Sequence, residues 1–495
     1  VLVLDCGSTN LRAVAIDSAG RALAQSSRPN RSHPQPNGEP GWLIWDLDEI
    51  WRKLSEVARE TSTSVGPENI KAVIVTTWGA DGAPVRRDGS LTYPPISWQC
   101  PRTQKAAKEV VKRLSAWEIF QVTGYQIISF NTLLKLIWLR ENVPKALDEA
   151  CTWLMMPGLL VHKLTRKFHI DPTSASTMMA MNLAHRDWSE SLLDLAGLDR
   201  GFFPEWYEAG EIIGYVTDEA GKTCNIPANV PVVVGGHDTQ FALVGSGAKP
   251  DEAILSSGTW EILSVRSNFF KPNSVGFEEG LIIEADAQPG FWNPQLLMIG
   301  SAVLEWVREK LFAELNASEY SKMILEAQRV RPGADGLTFI PSFVRESGPT
   351  KKFGALGTIL GLTLRTSRGD IHRAALEGLS FQLRDALRIL TEATEFHVGG
   401  IRVVGGGSKN DLWNQIRADA TNLPIAVTAQ KEATALGAAL TAFVGIDRYG
   451  SLMEAQENIC FEERRFDPSV NRDPYESIFK RYLQALENLK SFYLK

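Results

Sequence analysis

The stretch "GGHDTQFAL" (235–243) puts Asp238 after two glycines, behind an apolar run and ahead of a helical pattern. Two readings fit that place. Aspartate is a favoured N-cap, although Phe241 leaves no capping box to complete it. Alternatively, the carboxylate is a general base that accepts a hydroxyl proton, and His237 beside it hydrogen-bonds a substrate oxygen. A His-Asp metal pair would want further His or Cys ligands nearby, and the sequence has none there.

Two short turns could hold phosphate. "VLVLDCGSTNLRAVAID" (1–17) reads as strand, polar turn, strand, with Asp5 closing a buried strand where a carboxylate needs a partner or a cation. Gly7 lets the chain bend. Ser8, Thr9 and the turn's N–H groups can donate to phosphate oxygens, and Arg12 can add a bidentate contact. With no lysine and no following helix it is not a P-loop, and an aspartate capping its own turn is an equal reading. The second turn lies in "EAILSSGTWEILSVR" (252–266). Its Ser256, Ser257, Gly258 and Thr259 offer hydroxyls and flexible backbone without an acid, as a terminal phosphate prefers, or else they form a tight hairpin.

Two further sites complete the set. "VVGGGSKNDLWNQIRAD" (403–419) has GGGxxN spacing, so the dinucleotide fingerprint fails, but bare backbone there could carry a flat base or ribose with Asn410 as donor. "TTWGADG" (76–82) and "SWQCPRT" (97–103) put Trp78, Asp81, Trp98 and Arg102 in turn-rich sequence. Aromatic faces pack on sugar C–H groups and an acid takes hydroxyls, though either tryptophan could equally be structural.

The elements that must position these residues alternate along the chain. "IKAVIVTT" (70–77), "VPVVVGG" (230–236) and "IRVVGGG" (401–407) read as buried strands. Amphipathic helices are predicted from Asp46, with Ile50, Trp51, Leu54, Val57 and Ala58 on one face, and over 369–390. Such alternation implies an α/β fold. The hairpin at 252–266 restates the opening one, so two related α/β domains with a seam near Gly245 to Pro250 are expected, their turns gripping one polyphosphate from opposite sides.

Composition agrees with a globular protein. A chain of 495 residues exceeds one hydrophobic core, and a net charge of −6 argues against nucleic acid as a partner. Cys6, Cys100, Cys151, Cys224 and Cys460 form no CxxC pair, which speaks against a disulfide framework or zinc and for a reducing, cytoplasmic setting. No apolar run approaches the roughly 20 residues that span a bilayer, so no membrane partner is expected. A chain that opens at Val1 on a core-like strand shows no leader pattern and reads as trimmed.

Together these stretches resemble the FGGY carbohydrate kinases. "FNTLLKLIWLREN" (130–142) fits the family's first signature, including Lys135, Trp138 and Asn142, and "GTILGLTLRTSRGDIHRAALE" (357–377) fits the second, including Gly361, Asp370 and Glu377. The likeness runs in order from residue 1 to about 445, while "FIPSFVRESGPTKKFGALG" (339–357) reads like the family at large. It implies two actin-like (ribonuclease-H-like) domains, 1–245 and 246–495, around a cleft, with ATP-dependent phosphorylation of a sugar. By position, Asp238 is the implied catalytic base, and Asp5 holds Mg2+ together with Asp238. Ser8, Thr9 and Arg12 match the first phosphate turn, and Gly258 with Thr259 the second. Gly406 and Asn410 match the adenosine loop, and Glu305 falls where relatives contact nucleotide. Trp78, Asp81, Trp98, Arg102 and His237 are left for the sugar. The expected acceptor is the terminal hydroxyl of a ketose, L-fuculose ahead of rhamnulose, xylulose or ribulose, and a homodimer is the assembly considered. An actin-like filament protein or chaperone ATPase would share the paired hairpins but not the sugar residues.

Overall fold

A computed structural model of the chain describes residues 1–316, 319–343, 355–428, 432–459, 461, 463–470 and 472–493. Cys460 and residues 344–354 of the 339–357 stretch lie outside them. Two large sheets organise the molecule. The first uses β1 (Leu2–Cys6), β2 (Asn10–Ile16), β3 (Ala22–Pro29), β4 (Val73–Thr77), β5 (Ile212–Tyr215) and β6 (Pro231–His237), in the order β5-β6-β4-β1-β2-β3. The second uses β7 (Glu252–Ser257), β8 (Trp260–Ser264), β9 (Ile282–Ala285), β10 (Trp292–Ile299), β11 (Gly400–Val404), β12 (Ile425–Thr428) and β13 (Glu463–Phe466), in the order β9-β10-β8-β7-β11-β12-β13.

The duplication expected from the two hairpins is present in the pairing. β1 runs antiparallel to β2 and parallel to β4, and β7 runs antiparallel to β8 and parallel to β11. In each case the central strand is buried along most of its length, so both its faces need helices, and the chain supplies them by crossover connections. This is the expected α/β architecture of two actin-like halves. Helix α1 (Leu47–Val65) begins at Asp46, whose side chain accepts from the N–H of Glu49, and it buries Ile50, Leu54, Val57 and Ala58 as its spacing predicts.

The signature stretch 130–142 is helix α2 (Thr132–Asn142). Its segment joins the second half in one core, where Ile119, Phe120 and Leu133 cluster with Ile282, Ile283 and Leu296. The walls of the space between the sheets are therefore packed together at one end.

Helix α3 (Asp238–Val244) leaves the first sheet, and α4 (Ser301–Leu311), α5 (Arg368–Thr394) and α6 (Asp411–Thr421) belong to the second half. Helix α7 (Ala433–Gly445) returns to lie on α3, β1, β4 and β6, so the C-terminal half closes the first sheet. The α3–α7 crossing is a backbone contact. A Cβ on Gly437 would overlap the Phe241 carbonyl oxygen, and one on Gly245 would overlap that of Ala433. Gly437→Ala should therefore force α7 away from the helix that begins at Asp238. We expect a loss of about 1–3 kcal/mol, read by urea unfolding, with a drop in turnover. Unchanged stability and turnover would refute the crossing as a constraint.

Among the described residues no helix is long and apolar enough to cross a membrane, and no group of three or more His, Cys, Asp or Glu side chains could hold a metal ion.

Candidate active site

A cavity of about 430 Å³ opens between the two sheets. Ser8, Trp78, Trp98, His237 and Asp238 line it from the first half, and Ile262, Ile282, Glu284 and Leu297 from the second. A second cavity of about 200 Å³ adjoins it, lined by Ser256, Ser264 and Thr434. Asp238 and Thr239 line both, so the aspartate stands where the two spaces meet.

Its position follows from local sequence. β6 ends in Gly235-Gly236-His237, and His237 takes the N-cap place while Asp238 is the first residue of α3, one step from the N-cap reading. Gly236 has φ of 154°, and a Cβ there would overlap Thr173 and Asp171. The Thr173 hydroxyl accepts the N–H of His237 at 2.9 Å. Only glycine permits that approach, so the dipeptide before His237 fixes where the catalytic candidates emerge.

Asp238 keeps 28% of its side chain open to the cleft. Burial pushes its carboxyl up to about 6, with the charge of Asp5 adding and His237 opposing. A carboxylate with that proton affinity is suited to accept a hydroxyl proton near neutral pH. Burial disfavours the charged His237 ring, but Glu284, Asp238 and Asp171 hold it up to about 9. Its Nδ1 lies 3.3 Å from Glu284 Oε2 and its Nε2 lies 3.5 Å from Asp238 Oδ1.

The first turn is pinned from within. Gly7 N–H donates to the Asn10 carbonyl, and Asn30 bonds the carbonyls of Gly7 and Thr9. Ser8 lines the larger cavity and Thr9 is exposed. Asp5 is nearly buried, accepting from Arg12 Nε at 2.7 Å and from the Thr76 hydroxyl at 3.1 Å. Arg12 also pairs with Glu432. Arg12 is thus held in a clamp between two carboxylates, because Asp5 in a dry strand needs its charge met first.

The second turn has the same construction. Gly258 N–H donates to the Trp260 carbonyl at 2.9 Å, so it is spent inside the turn, and Thr259 is exposed. The carbonyls of Gly258 and Thr259 accept from Ser301 and Gly300 at the start of α4. Beneath it, fully buried Arg417 pairs with Glu261 and donates to the Ser257 hydroxyl at 2.8 Å. The glycine loop packs on the same turn. Side chains at Gly405 or Gly407 would collide with Ser257, while Gly406 faces open space. Asn410 caps α6 by accepting from Trp413 N–H at 3.1 Å. Glu305, on α4, accepts from Arg308 and from the Tyr320 hydroxyl.

Two expectations for the sugar residues are corrected. Asp81 has no exposed surface and does not line the cavity. It pairs with buried Lys135 and accepts from the indole nitrogens of Trp45 and Trp78 and the N–H of Trp98. Its carboxylate is occupied by Lys135 and positions all three tryptophans. Arg102 is also buried, stacked between Trp42 at 4.3 Å and Trp138 at 5.0 Å and donating to Tyr93 and Cys100. Burying an arginine is cheaper when its flat faces meet aromatic rings, so it serves the core behind the pocket. Trp78 and Trp98 do line the cavity.

Sequence reading missed Glu284, Tyr125 and Gln295, all lining residues. For Glu284 a signal existed, since it is the lone acid within the apolar run 281–285.

Comparisons with known proteins agree in both halves. The FGGY family of carbohydrate kinases matches through its N-terminal domain over residues 1–245 and its C-terminal domain over residues 253–446. The chain is 39% identical over 478 residues to an L-fuculokinase of Escherichia coli (strain K12), covering 97% of this chain and 99% of that one. It is 36% identical over 476 residues to an L-fuculokinase of Haemophilus influenzae, covering 94% and 99%. Among solved structures, xylulose kinase from Rhodospirillum rubrum superposes with a TM-score of 0.90 at 22% identity over 100% of both chains.

Proposed function

The chain belongs to the FGGY family of carbohydrate kinases, and on that footing we propose that it phosphorylates the terminal hydroxyl of a ketose, L-fuculose. It is a phosphotransferase that draws on ATP and acts on a small sugar. The observation that carries the finer reading is the place of Asp238, at the junction of the two cavities and near Asp5 of the first turn.

In this reading residues 1–245 form the sugar-side domain and 246–495 the nucleotide-side domain. A ketose in the larger cavity packs on Trp78 and Trp98 and meets His237, with its terminal hydroxyl donating to Asp238. The loose transition state of phosphoryl transfer leaves little covalent work, so aim and charge matter most. Asp238 orients the oxygen and takes its proton late. Ser8, Thr9 and Thr259 supply hydroxyl donors to the phosphates from opposite sides, while Gly258 shapes its turn. Gly406 offers an open backbone surface to the nucleoside, with Asn410 Nδ2 as a donor beside it, and Glu305 of α4 is assigned a further nucleotide contact. Asp5 and Asp238 fit Mg2+, because two carboxylates whose charges oppose each other are relieved by a hard cation that keeps water and phosphate as its other ligands. Bound there, Mg2+ would neutralise charge on the phosphates. A cytoplasmic location belongs to the same proposal.

Support for L-fuculose comes from the L-fuculokinase relatives and from the apolar wall. Phe130, Ile262, Ile282 and Leu297 give the cavity a face suited to the methyl end of a 6-deoxyketose. A coupled ADP-release assay over L-fuculose, L-rhamnulose, D-xylulose and D-ribulose tests this. L-Fuculose should lead the pentuloses by about tenfold or more in kcat/KM. A pentulose preference would overturn the sugar assignment, and ADP release indifferent to every sugar would overturn the ketose reading altogether.

A further inference from the structure

Glu284 is 1% exposed, on the edge strand β9 of the second sheet, among buried Ile282, Ile283 and Ala285. A carboxylate there is costly unless donors surround it. They come from the other half of the molecule. The Tyr125 hydroxyl donates to Oε1 at 3.0 Å, the Gln240 amide donates to Oε2, and His237 Nδ1 lies 3.3 Å from Oε2. Gln240 is itself held by the Asn293 amide of β10. With Nδ1 turned to Glu284, the ring presents Nε2 toward Gly79 and Asp238, both of which line the larger cavity.

We propose that Glu284 is a positioning residue for ketose recognition: from the second half it fixes the His237 ring so that Nε2 faces the sugar. The inference rests on the reading of His237 as a sugar contact. Removing the carboxylate leaves His237 in place but free to turn, so the first half alone would hold an incomplete sugar site.

A double-mutant cycle separates this role from simple support of the fold. In full-length protein, Glu284→Gln and His237→Gln should each raise the KM for L-fuculose about tenfold and leave the KM for ATP within about twofold, the size expected when one buried polar contact is lost. The double variant should be no worse than His237→Gln alone. If the two effects multiply, or if Glu284→Gln raises both KM values alike, Glu284 is structural and the inference fails. If Glu284→Gln leaves the KM for L-fuculose unchanged while His237→Gln raises it, the inference also fails. If His237→Gln has no effect on that KM, the sugar-contact reading itself falls. Glu284→Asp, one methylene short of the ring, serves in the same cycle if the glutamine variant does not fold, with the same outcomes deciding.

Discussion

Asp238→Asn should abolish most phosphoryl transfer, by about 10²–10⁴-fold in kcat, while ATP titrated without Mg2+ binds nearly as well as to the parent. The amide is the same size and can still accept a hydrogen bond from a sugar hydroxyl, so the ketose should bind. It cannot take the proton as the oxygen attacks. The donors expected to hold ATP, Ser8, Thr9 and Thr259, sit on two turns whose internal bonds do not involve residue 238. The site is also unusual in the pressure it puts on this one carboxyl. Burial raises it toward 6, and Asp5 adds to that. Asparagine removes both the charge and the strain, so the protein should be at least as stable. ADP release with saturating ketose, set beside calorimetric titration with ATP, gives the two readings. A variant that keeps more than about a tenth of parental turnover would rule out general-base catalysis by Asp238.

The second large effect concerns stability and the pocket wall together. Asp81→Ala should cost about 3–5 kcal/mol, because Lys135 would remain buried without its counter-charge. Burial already pushes the Lys135 ammonium below its ordinary proton affinity, and Asp81 is what opposes that. Asp81 also takes the indole N–H groups of Trp45 at 2.6 Å and Trp78 at 2.8 Å, and the Trp98 N–H at 3.0 Å. Its loss frees the aromatic wall, so the KM for ketose should rise as stability falls. Adding Lys135→Met should recover much of the stability by removing the stranded charge, without restoring the tryptophans. Urea unfolding and ketose KM, measured on both variants, separate the two roles. An Asp81→Ala protein within about 1 kcal/mol of the parent would refute the buried-pair account.

Much of the site was legible in sequence, and the boundary between legible and hidden is physical. Asp238 could be placed because its setting is local: a strand, two glycines and a helix start within about ten residues, governed by turn chemistry and burial period. The two hairpins were visible for the same reason, and their repetition foretold two related α/β halves. Asp81 and Arg102 were misread because residue type carries no direction. A carboxylate beside tryptophans looks the same whether it faces a sugar or a lysine 54 positions along the chain. Arg12 likewise shows a free guanidinium in sequence, and only its partner Glu432, 420 positions away, reveals a clamp.

Glu284 marks the limit most plainly. Its sequence setting marks it as an acid out of place in a buried strand and nothing more. That it meets His237, Tyr125 and Gln240 depends on the edge of the second sheet lying against the first half. The chain's local pattern determined the strands, the turns and the aspartate that stands between them. Which buried charges face the ligand and which face each other was decided only by tertiary packing, because a charge in a dry interior must find its partner wherever the fold brings one within about 3 Å.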